Sequence, residues 1–219
     1  GSWKEDNLSL NKSFENLPEE KKQKIIDVCI EEFAKKGYER ASTNEITKKA
    51  GISKGILFYY FGNKRNLFLF TIDYVIKHLV DKLEKILEDP PADVFERFIQ
   101  YGIAKLKLAY TEPEMYEVLF NAFVNPSEEV KKDIQERYEK IFAESLGRFY
   151  RGIDTSIFRK DVDIQKALEL ISMVLDGLGN KYLKTFKNMT AEEVFQSMDR
   201  IIEESREYME MLKRGLSNS

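Results

Sequence analysis

The chain is poor in the residues that build covalent, metal or triad chemistry: its 219 residues include one cysteine, Cys29, and one histidine, His78. One thiol excludes an internal disulfide and any multi-thiolate metal site, and one imidazole removes most zinc and hydrolytic-triad arrangements. There is no phosphate-cradling glycine loop and no paired His and carboxylate spacing. No cofactor, no metal and no enzymatic activity are therefore expected. Long apolar runs are missing too, since no uncharged stretch reaches the roughly 18 residues that a spanning helix needs. The first residues lack the basic start and apolar centre of a secretion signal, so a cytoplasmic protein with no membrane partner is expected. Sustained period-2 alternation is absent, which leaves no candidate strand.

What remains is an all-α pattern. The five prolines, at 18, 90, 91, 113 and 126, sit at the edges of apolar segments of helical period, where a missing N–H does least harm. Ile25, Cys29 and Phe33 line one stripe of a first helix that opens on Pro18-Glu19-Glu20 and ends at Lys35-Lys36-Gly37. Cys29 on that stripe reads as core and not as a nucleophile. Later helices are expected near 63–88, 92–110, 114–123, 127–152, 161–186 and 190–213. The net charge is −3, but residues 33 to 66 carry eight basic side chains against only Glu39 and Glu45. Nucleic-acid binding depends on where positive charge sits, so this stretch matters more than the total.

Residues 42 to 64, STNEITKKAGISKGILFYYFGNK, carry the most information. Ser42 followed by Glu45 predicts a capping box and a short helix through Ile46 to Ala50. Gly51 stops it, Ile52 plugs the angle, and Ser53 caps a second helix that carries Lys54 to Phe61. Two short helices crossed at a glycine turn make a helix–turn–helix. Read in isolation, Ile56 to Phe61 is a β-branched and aromatic run that would suit a buried strand. The Ser53 cap, the lack of any partner strand and the Leu57 and Phe61 core pair favour a helix, with Ile56 and Tyr59 pointing elsewhere. Tyrosine beside lysine on an exposed face suits phosphate contact and apolar contact with thymine methyl groups. Thr43, Lys54, Tyr59 and Lys64 are candidates on that ground. A winged helix is the rival DNA-binding class, but Gly62-Asn63-Lys64 leads straight into the helical period of Leu67, Phe68, Ile72 and Val75, with no hairpin.

These residues resemble the TetR family of bacterial transcriptional regulators. The likeness runs through Lys24-Ile25-Ile26, Phe33, Gly37-Tyr38, Ala41-Ser42-Thr43, Ile46, Ala50-Gly51-Ile52-Ser53, Gly55, Phe61, Lys64 and Leu67, about a fifth of the chain. It implies a DNA-binding head over 18–64 and a larger effector-binding and dimerising domain over 65–219; the polar residues before them are expected to form a flexible extension over 1–17. By position it implies that Ser42 and Thr43 reach phosphates, that Lys54, Gly55, Ile56 and Tyr59 face the major groove, and that Tyr60 and Lys64 flank it on the backbone. The residues themselves leave Tyr60 open between that role and the core. One departure matters: the family's usual tyrosine is Phe58 here, without a hydroxyl for a phosphate. The implied partners are a palindromic double-stranded operator, a small-molecule effector and a second copy of the chain, with repression the expected sign.

Beyond residue 70 the reading rests on periodicity. Seven aromatics fall within 92–123, at Phe95, Phe98, Tyr101, Tyr110, Tyr116, Phe120 and Phe123. Most suit ordinary core packing, and a surplus would line a cavity for a mostly hydrophobic effector. Phe98, Tyr101, Tyr116, Phe120 and His78 are the candidates, although His78 reads first as a structural or solvent-facing histidine. Leu168, Ile171, Leu175, Leu178 and Tyr182 form one stripe, with Ala167, Leu170 and Val174 beside it. A helix apolar on two faces must be covered twice, so that stripe, with Phe195, Met198 and Ile202 of the next helix, is expected to form a four-helix dimer interface. The alternative function is a helical small-molecule carrier or enzyme that keeps a DNA-binding-like head.

Overall fold

The computed structural model describes residues 12–218. Among them are nine helices: α1 (Glu19–Arg40), α2 (Thr43–Ala50), α3 (Lys54–Phe61), α4 (Lys64–Ile86), α5 (Val94–Thr111), α6 (Pro113–Val124), α7 (Lys131–Phe149), α8 (Ile164–Phe186) and α9 (Ala191–Leu216). The only β-type pairing among the described residues is an isolated bridge between Phe158 and Ser217. The all-α expectation holds, and the local signals explain the boundaries. Asp163 caps α8 by accepting from the Lys166 N–H, and Thr190 with Glu193 forms a complete capping box on α9. Gly37 takes a positive φ of 66° as expected, but the chain resumes a helical turn beyond it, so α1 runs kinked to Arg40.

Two compact units form. One contains the described residues through Val80 together with Glu112–Ser145, and the other contains Asp81–Thr111 with Leu146–Ser219. The sequence reading divides the chain near residue 64, and the difference has a packing cause. Leu67, Phe68, Leu69, Ile72 and Val75 of α4 lie buried in the same core as Ile25, Phe33, Ile46, Leu57 and Phe61, and Val118, Ala122 and Ile134 of α6 and α7 join it. Two arginine forks latch α4 to α7 within this unit: Arg65 donates to both Asp133 oxygens at 2.7 Å, and Arg137 donates to Asp73 at 2.7 and 2.9 Å. The flexible extension expected over 1–17 also needs correction. Residues 1–11 lie outside the described residues, but 12–15 form a helical turn, and Phe14 is fully buried against Phe61 and Phe70.

The second unit is built from α5, α8 and α9 around Phe95, Phe98, Ile99, Phe158, Ala167, Ile171 and Met209. This arrangement corrects the dimer stripe. Ile171 is fully buried inside the chain, Leu178 and Tyr182 are buried with Leu106 and Ile201, and Leu168 and Leu175 pack on the same cores. The cause is α5: at Gly102 a Cβ would stand only 3.6 Å from Leu175 Cδ2, so the α5 backbone comes close enough to cover that face. The other face of α8 is turned outward at Leu170 and Met173. On α9, Phe195 is exposed while Met198 and Ile202 are half-buried.

A residue absent from the sequence reading ties this unit together. Arg97 is buried, and its guanidinium donates to three backbone carbonyls: Pro91 at 2.7 Å, Phe149 at 2.8 Å and Arg151 at 2.7 Å. The last two lie at the end of α7, where carbonyls without helical partners carry negative partial charge. Burial pulls the guanidinium below its ordinary pKa, and the carbonyls keep it satisfied. Arg97→Met should leave three acceptors unpaired and destabilise the protein by about 2–4 kcal/mol in urea unfolding. A loss below about 1 kcal/mol would show that water replaces the guanidinium without cost.

Candidate nucleic-acid interface

The geometry of α2 and α3 is set by caps. Ser42 Oγ accepts from the Glu45 N–H at 3.3 Å, Gly51 ends α2 in the left-handed conformation at φ 69°, and Ser53 Oγ accepts from the Ile56 N–H at 3.1 Å. The reciprocal half of the expected capping box is made by a different residue. The Ser42 N–H donates to Glu32 Oε1 at 2.9 Å, and Glu32 lies buried on α1 with the Lys36 ammonium 2.9 Å away. Burial alone would raise the Glu32 carboxyl, but Lys36 and the Ser42 N–H outweigh it and hold the group below the usual carboxylate range.

α3 divides cleanly between an inward and an outward side. Leu57 and Phe61 are fully buried, and Ile52 packs beneath them on the core. Lys54, Gly55, Ile56 and Tyr59 are exposed, Ile56 at 43% and Tyr59 at 71% of their surface. For a helix that buries its other face, those values mark a surface that the chain's own core leaves open. Gly55 makes the same point: a Cβ there would meet nothing nearer than Ser53 Oγ at 3.9 Å, so nothing in the chain itself requires glycine. The Lys54 ammonium sits 5.7 Å from the centre of the Phe58 ring, so the residue that departs from the family pattern positions a cation where it cannot donate a hydroxyl.

The flanking residues are held less openly. Tyr60 is half-buried edge-on to Phe14, with ring centres 5.8 Å apart, so the alternative left open at this position resolves toward the core rim. Lys64 donates to the Glu39 carbonyl at 3.0 Å and lies 4.9 Å from the centre of the Tyr38 ring. Ser42 and Thr43 are half-buried at the start of α2. The positive stretch is also more balanced in space than along the chain. Lys35 and Lys49 share Glu31, Lys36 pairs with Glu32, and Arg65 forks onto Asp133. Those three carboxylates lie outside residues 33–66, so a count over that window misses them.

The candidate effector residues fall in separate places. Phe98 and Tyr101 belong to the second unit and both pack edge-on to Phe149, at 4.5 and 5.1 Å. Burial raises the Tyr101 hydroxyl above its ordinary pKa. Tyr116 and Phe120 belong to the first unit and stack on each other at 6.2 Å, as His78 does on Tyr74 at 6.0 Å. His78 Nε2 lies 3.6 Å from Glu112. Cys29 is buried in the core of the first unit, and burial pushes its thiol up to about 12, which keeps it protonated and unreactive at neutral pH.

Comparison with known proteins gives the same outline. A family described as bacterial regulatory proteins, tetR family, matches residues 25–69, and one described as tetracyclin repressor-like, C-terminal domain, matches residues 92–217. The chain is similar to an uncharacterized HTH-type transcriptional regulator, YerO, of Bacillus subtilis, with 27% identity over 80% of this chain. It spans 61% of the length of that relative. Among solved structures, a TetR family transcriptional regulator from Chloroflexus aurantiacus superposes with a TM-score of 0.66 at 22% identity, over 95% of this chain and 99% of that one. The transcriptional regulator FadR from Bacillus subtilis, in complex with stearoyl-CoA, gives a TM-score of 0.57 at 16% identity, over 84% of this chain and 96% of that one. At these identities the two structures share the fold.

The Glu32 anchor has a pH consequence. Its carboxyl is depressed in the folded chain, so the stability it contributes is complete above the ordinary glutamate pKa of about 4.3. That stability is lost as the pH falls through the lower folded value. Thermal unfolding followed by circular dichroism from pH 6 down to pH 3 should show a steeper acid decline for the native chain than for Glu32→Gln. Parallel curves would mean that the carboxylate charge does not hold the cap.

Proposed function

The chain belongs to the TetR family of bacterial regulatory proteins, and from that premise we propose that it is a ligand-responsive transcriptional repressor that binds a palindromic operator as a homodimer. The observation that carries this reading is the outward side of α3, where Lys54, Gly55, Ile56 and Tyr59 are exposed on a helix fixed rigidly from behind. In the major groove Lys54 and Tyr59 offer polar contacts to base edges, Ile56 offers an apolar contact for a thymine methyl, and Gly55 lets the helix backbone approach closely. Ser42 and Thr43 at the positive end of α2 suit phosphate oxygens, and Tyr60 and Lys64 flank them. Such a protein works where the chromosome is, in the bacterial cytoplasm, and among the described residues no helix is long and apolar enough to cross a membrane.

Two copies meet, in this reading, through the outer faces of α8 and α9. Leu170, Met173 and Phe195 are exposed there, Met173 at 65% and Phe195 at 80%, and Met198 and Ile202 border them. Large apolar side chains exposed on neighbouring helices favour burial against a symmetry copy. The effector is an apolar molecule with a polar end, of the acyl-thioester kind that the FadR structure holds. Phe98 and Tyr101, which pack on Phe149 within the second unit, provide walls of that character. α4 belongs to both units, since the helix runs unbroken past Val80. Effector binding that tilts it shifts the two heads against half-sites about 34 Å apart.

The DNA reading is tested by two substitutions. Gly55→Ala should stabilise the free protein by up to about 1 kcal/mol through helix propensity, yet weaken its binding to duplex DNA in fluorescence anisotropy. Lys64→Ala should weaken binding to all duplexes alike and reduce the salt slope by about one unit. Tighter DNA binding by Gly55→Ala would place the DNA against another surface. For the interface, Met173→Glu combined with Phe195→Glu should give folded monomers by light scattering, and an unchanged dimer would move the interface elsewhere. Stearoyl-CoA should weaken operator binding, with a coupling of about 1–3 kcal/mol, and operator should weaken stearoyl-CoA binding by the same factor. Equal affinities in calorimetry with and without operator would reject an acyl-thioester effector.

A further inference from the structure

The helical turn at 12–15 is held against the recognition helix by two contacts of different kinds. Phe14 is fully buried, edge-on to Tyr60 at 5.8 Å and to Phe70 at 5.2 Å, and tilted on Phe61 at 5.0 Å. One residue earlier, Ser13 Oγ lies 3.2 Å from the hydroxyl of Tyr59. Tyr59 is the most exposed of the large apolar side chains on α3, so its ring still faces outward while Ser13 occupies one position around its oxygen. The family match to the head begins at residue 25. Ser13 and Phe14 therefore stand outside the shared part of the head.

A phenol hydroxyl has one proton and two acceptor positions. Unconstrained, it turns about its C–O bond to suit either a donor or an acceptor. Bonded to a second hydroxyl, its proton is either committed to Ser13, which leaves acceptor capacity outward, or replaced as donor by Ser13, which frees its own proton to point outward. In both cases a donating and an accepting base edge cease to be equivalent for it. The anchor beneath matters as much as the bond, because a hydroxyl on a loose segment would follow Tyr59 rather than orient it. Phe14, packed among three rings, keeps Ser13 in place.

We propose that Ser13 is a positioning residue for DNA reading: it orients the Tyr59 hydroxyl, and the turn at 12–15 is thereby a third element of the reading surface beside α2 and α3. This inference rests on the DNA-binding reading above, and its test separates the two. Base preferences would be measured by selection from duplexes randomised across the half-site, for the native chain, Ser13→Ala, Ser13→Thr, Tyr59→Phe and the combination of Ser13→Ala with Tyr59→Phe. Thermal unfolding and salt dependence would be recorded beside them.

Ser13→Ala should change the discrimination at one base position by about three- to tenfold, the range set by one net hydrogen bond. It should leave the unfolding temperature and the salt slope unaltered. Ser13→Thr, which keeps the hydroxyl, should restore the native preference. Tyr59→Phe, which removes the hydroxyl, should change discrimination at that same base position, and adding Ser13→Ala to it should change nothing further. Four outcomes would overturn the proposal: unchanged preferences in Ser13→Ala while Tyr59→Phe alters them, independent effects that add in the combined variant, a uniform loss of affinity for every duplex, or a failure of Ser13→Thr to rescue. A native chain that retains no duplex would overturn the DNA-binding reading itself, and this inference with it.

Discussion

A buried carboxylate at the seam of α1 and α2 sets the geometry of the head. Glu32 accepts the Ser42 N–H and lies beside the Lys36 ammonium, so the start of α2 is bonded to the adjacent helix as well as to itself. A self-contained capping box fixes only where a helix begins; a bond to another helix also fixes where that beginning sits. The turn at Gly51 and the cap at Ser53 then carry the position forward to α3. What Lys54, Gly55, Ile56 and Tyr59 present outward therefore depends on a side chain that is itself hidden from any partner.

The second unit solves a related problem with the opposite charge. Arg97 buries a cation among carbonyls at the end of α7, and Glu32 buries an anion against an N–H near the start of α2. In both cases the compensating groups include backbone atoms of a helix terminus, which are unpaired by the helix itself and carry partial charge of the right sign. Such pairings tolerate burial because desolvation is offset by several short hydrogen bonds. They also join segments far apart in sequence: residue 97 to residues 149 and 151.

That distance explains what was legible in the sequence and what was not. Ser42, Gly51, Ser53 and the Leu57 and Phe61 pair are local signals, readable within one turn, and the structure has each of them in the expected role. Glu45 is the local choice to complete the cap, and only the fold shows that Glu32 accepts the Ser42 N–H. The dimer stripe failed for a similar reason. Periodicity shows that α8 is apolar on two faces, but not which face α5 covers, and the regular stripe through Ile171 turned out to be the inner one. Phe14 packs on rings of α3 and α4, partners that no local signal in the sequence names.

The same contrast bears on how firmly the reading helix is held. The first half of α4 is buried along Leu67, Ile72 and Val75 and latched by two Arg–Asp forks to α7. A helix held by packing on one side and by fixed ion pairs on another resists bending, because each fork must keep two short bonds within narrow geometry. Its 23 residues extend about 34 Å at 1.5 Å per residue. Within the first unit α3 is held by the same packing, since Leu57 and Phe61 share the core that α4 lines. Apolar burial on one side and ion pairs on the other thus hold α4 in place, and through the shared core they hold α3.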